Sequence, residues 1–225
     1  MADAWMPGAR CIRAETDGGQ LAGGAPRVVW MTLGADVRLI SAWSAAQRLN
    51  QENRPPHLVW DPQTGDIAQL LPIVRAGCAL GTPEDLDYAP DRLPYSAIPV
   101  NNEGRLCVQI AVLASARDPF TGYAMLGLGE ILDWLDTWRI PRRWPAGAPA
   151  PYRHAGRMRS RALWAQGGHF GASQVPDCDS IGPGGIDIDQ LAGRDRLARE
   201  RPEPPIADPS AIRLGPRTAQ VVAAV

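Results

Sequence analysis

The segment Gly167-Gly168-His169-Phe170-Gly171-Ala172-Ser173-Gln174-Val175-Pro176-Asp177-Cys178-Asp179 gathers the side chains of this sequence best suited to chemistry. An imidazole, a thiol and two carboxylates in one short stretch are donors that a zinc ion accepts. His169, Cys178 and Asp179, joined by His57 from elsewhere in the chain, make one chemically credible set. After them comes a hinge, Gly182-Pro183-Gly184-Gly185, and there Ser180 and Gly182 stand where further ligands would be wanted. The plainer readings are that His169 is bonded to backbone and that His57 is a packed strand residue. The third histidine, His154, lies among Arg153, Arg157, Arg159 and Arg161. That basic run either grips an anionic polymer or acidic partner, or is a solvated loop.

Other chemistries find no support. The sequence has no GxSxG, no phosphate-cradling glycine loop and no HExxH. All 23 basic residues are arginine, which removes any Schiff-base lysine. The formal net charge of -1 argues against a general nucleic-acid binder. Cys11, Cys78, Cys107 and Cys178 form no CxxC pair, so buried free thiols are expected rather than disulfides. No run is long and apolar enough to span a bilayer, and no secretory leader is recognisable at the start. Synthesis in the cytoplasm without membrane insertion is the expectation.

The elements that must position these residues follow from periodicity. Arg27–Thr32 reads as a buried strand, and Asp36 as the cap of a helix over Val37–Asn50. His57–Trp60 and Asp66–Leu71 read as a hairpin around the turn Asp61–Gly65. Pro72–Glu103 is irregular, and Leu106–Leu113 is the most apolar strand, expected at the centre. Leu126, Leu128, Ile131, Leu132 and Leu135 share one face of a helix expected over Met125–Thr137. Pro141–Pro151 is a loop, the GGHFG stretch reads as another, and a short helix begins at Asp187, with Asp187 and Asp189 capping it. Strands alternating with helices, some strands joined by hairpins, indicate an α/β domain with a mixed β-sheet flanked by helices over residues 27–193. Residues 1–26 form an extended arm, and 194–225 a Pro-rich linker and tail. Arms of this composition call for a partner to order them.

The order of segments resembles a known family. A VVWMT strand, a PHLVWDPQTG strand and turn, an asparagine-rich loop into VQIAVL, an amphipathic helix and GGHFGASQVPD together look like the type 2 N-acetylmuramoyl-L-alanine amidases. Peptidoglycan recognition proteins share that fold, and actinobacterial and actinophage endolysins are the nearest in flavour. The resemblance implies a zinc-bound water that cleaves the lactyl–L-alanine bond of peptidoglycan, held by three protein ligands. It places Met31, His169 and Gly182 at the ligand positions, Ala111 at an assisting glutamate and Ser180 beside the lost aspartate. Of these only His169 is a ligand. The expectation is therefore a catalytically inactive amidase-fold protein without a metal. Its role would be as a structural or peptidoglycan-contacting subunit of a phage tail or phage-tail-like particle. The alternatives are an active amidase whose zinc site is rebuilt from Cys178 and Asp179, and a free peptidoglycan-binding protein.

Overall fold

The computed structural model describes residues 2–34, 40–80, 98–115, 117, 120–151, 159–178, 180 and 182–192. Its framework is a six-stranded sheet in the order β1-β4-β3-β5-β2-β6. The strands are β1 (Arg10–Cys11), β2 (Arg27–Thr32), β3 (Leu58–Trp60), β4 (Ile67–Gln69), β5 (Cys107–Val112) and β6 (Gly168–Gly171). β3, β5, β2 and β6 run parallel, while β3 and β4 form an antiparallel hairpin. The sheet is therefore mixed, as its sequence indicates.

β5 lies between β3 and β2, and all six of its residues are buried. That explains an apolar run without polar alternation, because a central parallel strand is covered on both faces. One face carries α2 (Leu128–Thr137), whose Leu128, Ile131, Leu132 and Leu135 pack with Val28, Trp30, Trp60, Val108 and Ile110. The other face carries α1 (Ala42–Gln51), whose Ala42, Ala45 and Ala46 pack with Val29, Met31, Val59 and Ala111. Two short helices, α3 (Arg161–Trp164) and α4 (Ile188–Leu191), flank the last strand in sequence. Among the described residues no helix is long and apolar enough to cross a membrane.

Several boundaries differ from the periodicity reading. α1 starts at Ala42, where the Ser41 hydroxyl accepts the Ser44 N–H at 3.1 Å; Asp36 lies outside the described residues. α2 starts at Leu128 because Met125 and Gly127 have φ of 55° and 82°, which no helix tolerates. Leu126 consequently leaves the apolar face and is exposed, while its carbonyl accepts the Trp60 indole N–H at 2.7 Å. GGHFG is an edge strand rather than a loop, with His169 N–H donating to the Arg143 carbonyl at 2.8 Å. Asp187 caps α4 through Asp189 N–H and Gln190 N–H, so Asp189 sits inside the helix instead of capping it. Cys107 and Cys178 are buried thiols, but Cys11, on the edge strand, is exposed.

Residues 2–26 bond along the domain of their own chain. The Asp3 carbonyl is bonded to Trp134 of α2, β1 pairs with β4, and Ala22 N–H donates to Asn102 O at 2.8 Å. Residues 193–225 lie outside the described residues.

A buried ionic cluster ties the start of β2 to α3. The Arg27 guanidinium, on a side chain only 4% exposed, lies 4.3 Å above the Trp164 ring and 3.6 Å from Glu103. Glu103 also accepts the Trp164 indole N–H at 2.6 Å and pairs with Arg161, which reaches on to Asp177. Removing the carboxylate strands a buried cation. Glu103→Ala is expected to destabilise the fold by about 3–5 kcal/mol in urea unfolding, whereas exposed Glu52→Ala should change it by less than about 1 kcal/mol.

Candidate functional site

The sheet register decides which of the chemically capable residues meet. Val28 pairs with His169 and Val29 with Phe170, and side chains alternate faces along each strand. His169 therefore projects toward α2, on the side of Val28 and Trp30, and Phe170 toward α1. Met31 pairs with Ala111 and packs on the α1 face. The structure does not bring Met31 or Ala111 to His169. The β2 side chain that bonds to His169 is Trp30, two residues on from its register partner Val28 and paired with Ile110 on β5.

The His169 ring is fully buried between two indoles. Trp30 stacks on it at 6.0 Å between centroids and 29° between planes, and Trp144 lies at 6.0 Å and 45°. The Trp30 Nε1–H donates to His169 Nδ1 at 3.1 Å. Trp144 is brought there by the Pro141–Pro151 loop and fixed by Gln174, whose Oε1 accepts its Nε1–H at 2.7 Å. The same Oε1 accepts Gly171 N–H at 3.0 Å, and the Gln174 amide donates to Gly147 O at 2.9 Å. One glutamine thus locks the loop onto the edge of β6.

Burial is the first cause that pushes the His169 pKa down to about 4; the nearby Arg142 cation acts in the same direction and Asp136 opposes it. The ring is accordingly neutral at pH 7. Because an indole N–H only donates, Nδ1 is the acceptor and the ring proton resides on Nε2. In this tautomer the Nδ1 lone pair is engaged by the indole, and Nε2–H is buried with no hydrogen-bond partner among the described residues. His169 is bonded to an indole, not to backbone.

The remaining residues of the loop lie elsewhere. Cys178 is buried in the α1-side core, across the sheet from His169, and Asp177 is paired with Arg161. Asp179, His154, Arg153 and Arg157 lie outside the described residues. The Ser180 hydroxyl donates to the Gly182 carbonyl at 3.3 Å, and that carbonyl accepts Ser173 N–H at 2.9 Å. Arg159 donates to Ser180 O at 3.0 Å, so its guanidinium braces this loop. His57 sits on the α1 side, next to Gln109: its Nδ1 accepts Gln109 N–H at 3.1 Å and its Nε2–H donates to Arg75 O at 2.8 Å. Among the described residues no three His, Cys, Asp or Glu side chains converge as a metal site. Zinc needs three or four such ligands. One imidazole, its lone pair engaged by an indole and walled by Trp144, does not fit that ion.

No protein-family model matches the chain, and no curated protein matches it in sequence. Solved structures with a similar chain path include the hydrolase AmiA of Staphylococcus aureus in complex with its ligand, at 10% identity and a TM-score of 0.45. That match covers 75% of this chain and 66% of AmiA, just under two thirds of that chain's length. The endolysin N-acetylmuramoyl-L-alanine amidase LysCS of Clostridium intestinale is 12% identical over 86% of this chain and 98% of its own, with a TM-score of 0.46. A selenomethionine derivative of AmpD is 10% identical over 84% and 96%, with a TM-score of 0.48.

Two outcomes test this site. Trp30→Phe removes the only donor to Nδ1 that the structure gives and should destabilise the fold by roughly 2–4 kcal/mol, combining an unsatisfied buried acceptor with lost indole volume. The comparison is by urea denaturation at pH 7.5. His57 is likewise held down to about 4 by burial, its bond to Arg75 opposing. Both imidazoles are near 6.5 in the unfolded chain, which therefore binds more protons than the folded one between those values. Stability should fall as pH drops from about 6.5 toward 4, by roughly 3 kcal/mol per histidine. Nitrogen-15 imidazole shifts should show both rings neutral at pH 5.5; titration of either near 6.5 would contradict their burial.

Proposed function

We propose that this chain is a type 2 amidase-fold protein that no longer hydrolyses peptidoglycan. We further propose that it serves as a structural or peptidoglycan-contacting component of a phage tail or phage-tail-like particle. The observation that carries the first part is the Trp30–His169 hydrogen bond. In a zinc hydrolase the ion polarises the attacking water and needs an open coordination position. Here the one surviving imidazole is bonded to the Trp30 indole of β2 and flanked on another side by the Trp144 ring. The family reading rests on the sequence segments VVWMT, PHLVWDPQTG and GGHFGASQVPD. A fold outlives its chemistry because core and site are specified by different residues.

The second part rests on the endolysin-like sequence and on the Pro-rich composition of residues 194–225. Neighbouring subunits and peptidoglycan are its partners in this reading, and the particle its location. Three measurements on the purified full chain test it. Metal analysis should find zinc far below one equivalent, unchanged by His169→Ala, and digestion of cell wall should release no muramoyl-linked peptides. Stoichiometric zinc lost on His169→Ala, with peptide release, would establish instead an active amidase with a rebuilt site. Co-purification with particles supports the structural role; retention on insoluble cell wall without particle association would make it a free peptidoglycan binder.

A further inference from the structure

The face of the sheet that carries His169 shows which position on β2 governs it. Val28 and Trp30 turn toward α2, Val29 and Met31 toward α1, so the sheet stands between residue 31 and the imidazole. Trp30 reaches the ring directly, its Nε1–H donating to Nδ1 at 3.1 Å. The proton of such a bond lies about 2 Å from its acceptor. A zinc–imidazole bond has the same length, about 2.0–2.1 Å. Indole and metal therefore claim one lone pair at one distance, and only one of them can have it. A metal-bound imidazole is ordinarily oriented through its second nitrogen, by a carboxylate, carbonyl or water. His169 Nε2 is buried without a hydrogen-bond partner among the described residues. The bond from Trp30 is thus the hydrogen bond that orients this ring.

The indole is not free to yield that place. Trp30 is fully buried. Its ring meets Trp60 edge to face at 6.1 Å, and Trp60 is itself fixed by its bond to the Leu126 carbonyl at 2.7 Å. Trp144 flanks the imidazole at 6.0 Å between centroids. Gly171 lies two residues past His169 on β6 and so on the same face. A Cβ at Gly171 would come within 3.0 Å of Pro149 Cγ and 3.3 Å of Pro183 Cδ, so prolines close that end of the site. We propose that the Trp30 indole N–H is a built-in substitute for a metal ion at His169 Nδ1, and that residue 30 decides whether this imidazole binds a divalent metal. The inference deepens the proposal above and rests on its reading of the chain as one that no longer hydrolyses peptidoglycan. It moves the decisive position on β2 from Met31, which the family resemblance indicates, to Trp30.

Zinc binding to the full chain, followed by calorimetry at pH 7.5, tests the proposal. The parent carries Cys11→Ser and Cys78→Ser, which removes the two thiols that are not buried. Trp30→His should bind zinc roughly tenfold or more tighter than the parent or Met31→His, because it alone sets a second imidazole beside His169. Adding His169→Ala should abolish the gain. A gain with Met31→His instead, or none with Trp30→His in a chain that folds like the parent, would overturn the proposal. Zinc held by the parent and lost on His169→Ala would sink the preceding reading as well, which separates the two failures. Where Trp30→His does not fold, the unaltered chain decides. Nitrogen-15 spectra should show His169 protonated on Nε2, with a coupling across the indole N–H···Nδ1 bond. A proton on Nδ1 would overturn the proposal.

Discussion

The parallel register of β5, β2 and β6 governs this molecule. Pairing Val28 with His169 and Trp30 with Ile110 commits alternate residues to opposite faces, and a shift of one residue would invert every assignment. With that register set, the α2 face receives Trp30, Trp60, His169 and Ile110, and the α1 face receives Met31, Ala111 and Phe170. The surroundings of His169 are then those of the α2 face: the Trp30 and Trp144 rings, with the charges of Arg142 and Asp136 close enough to act on it.

The buried neutral histidine has one nitrogen paired: Trp30 supplies a donor to Nδ1, while Nε2 is buried without a hydrogen-bond partner among the described residues. Burying a polar group without a partner costs about 1–3 kcal/mol, and the indole both bonds to the imidazole and stacks against it. Trp30 also meets Trp60 edge to face at 6.1 Å, and Trp60 meets Phe120 in the same way, so the ring pair is continuous with the core of the domain. The site is thereby part of what stabilises the fold.

Much of the architecture was legible. The apolar run of β5, the DPQTG turn of the β3–β4 hairpin and the helical spacing of α2 carry local signals strong enough to survive in the fold. What sequence reasoning missed was long-range. Trp144 reaches His169 because Gln174 fastens a proline-rich loop to the edge of β6, and no periodicity records that pairing. Trp30 was accessible in principle. Once GGHFG is read as a strand beside β2, alternation puts Trp30 rather than Met31 beside the histidine. Reading GGHFG as a loop concealed it. Helix starts moved for local reasons, the Ser41 cap and the positive φ of Met125 and Gly127, which composition alone does not rank against a helical pattern.

The arm illustrates the same limit in energetic terms. Its glycines and alanines offer little apolar surface, and by composition alone such a segment cannot offset its ordering entropy. Order comes instead from donors fixed in advance on other elements: two indoles at the end of α2 and a buried glutamine on β4. Those donors are paid for by the core that immobilises Trp134 and Gln69, so the arm adds Met6 and its own backbone to a seat already built.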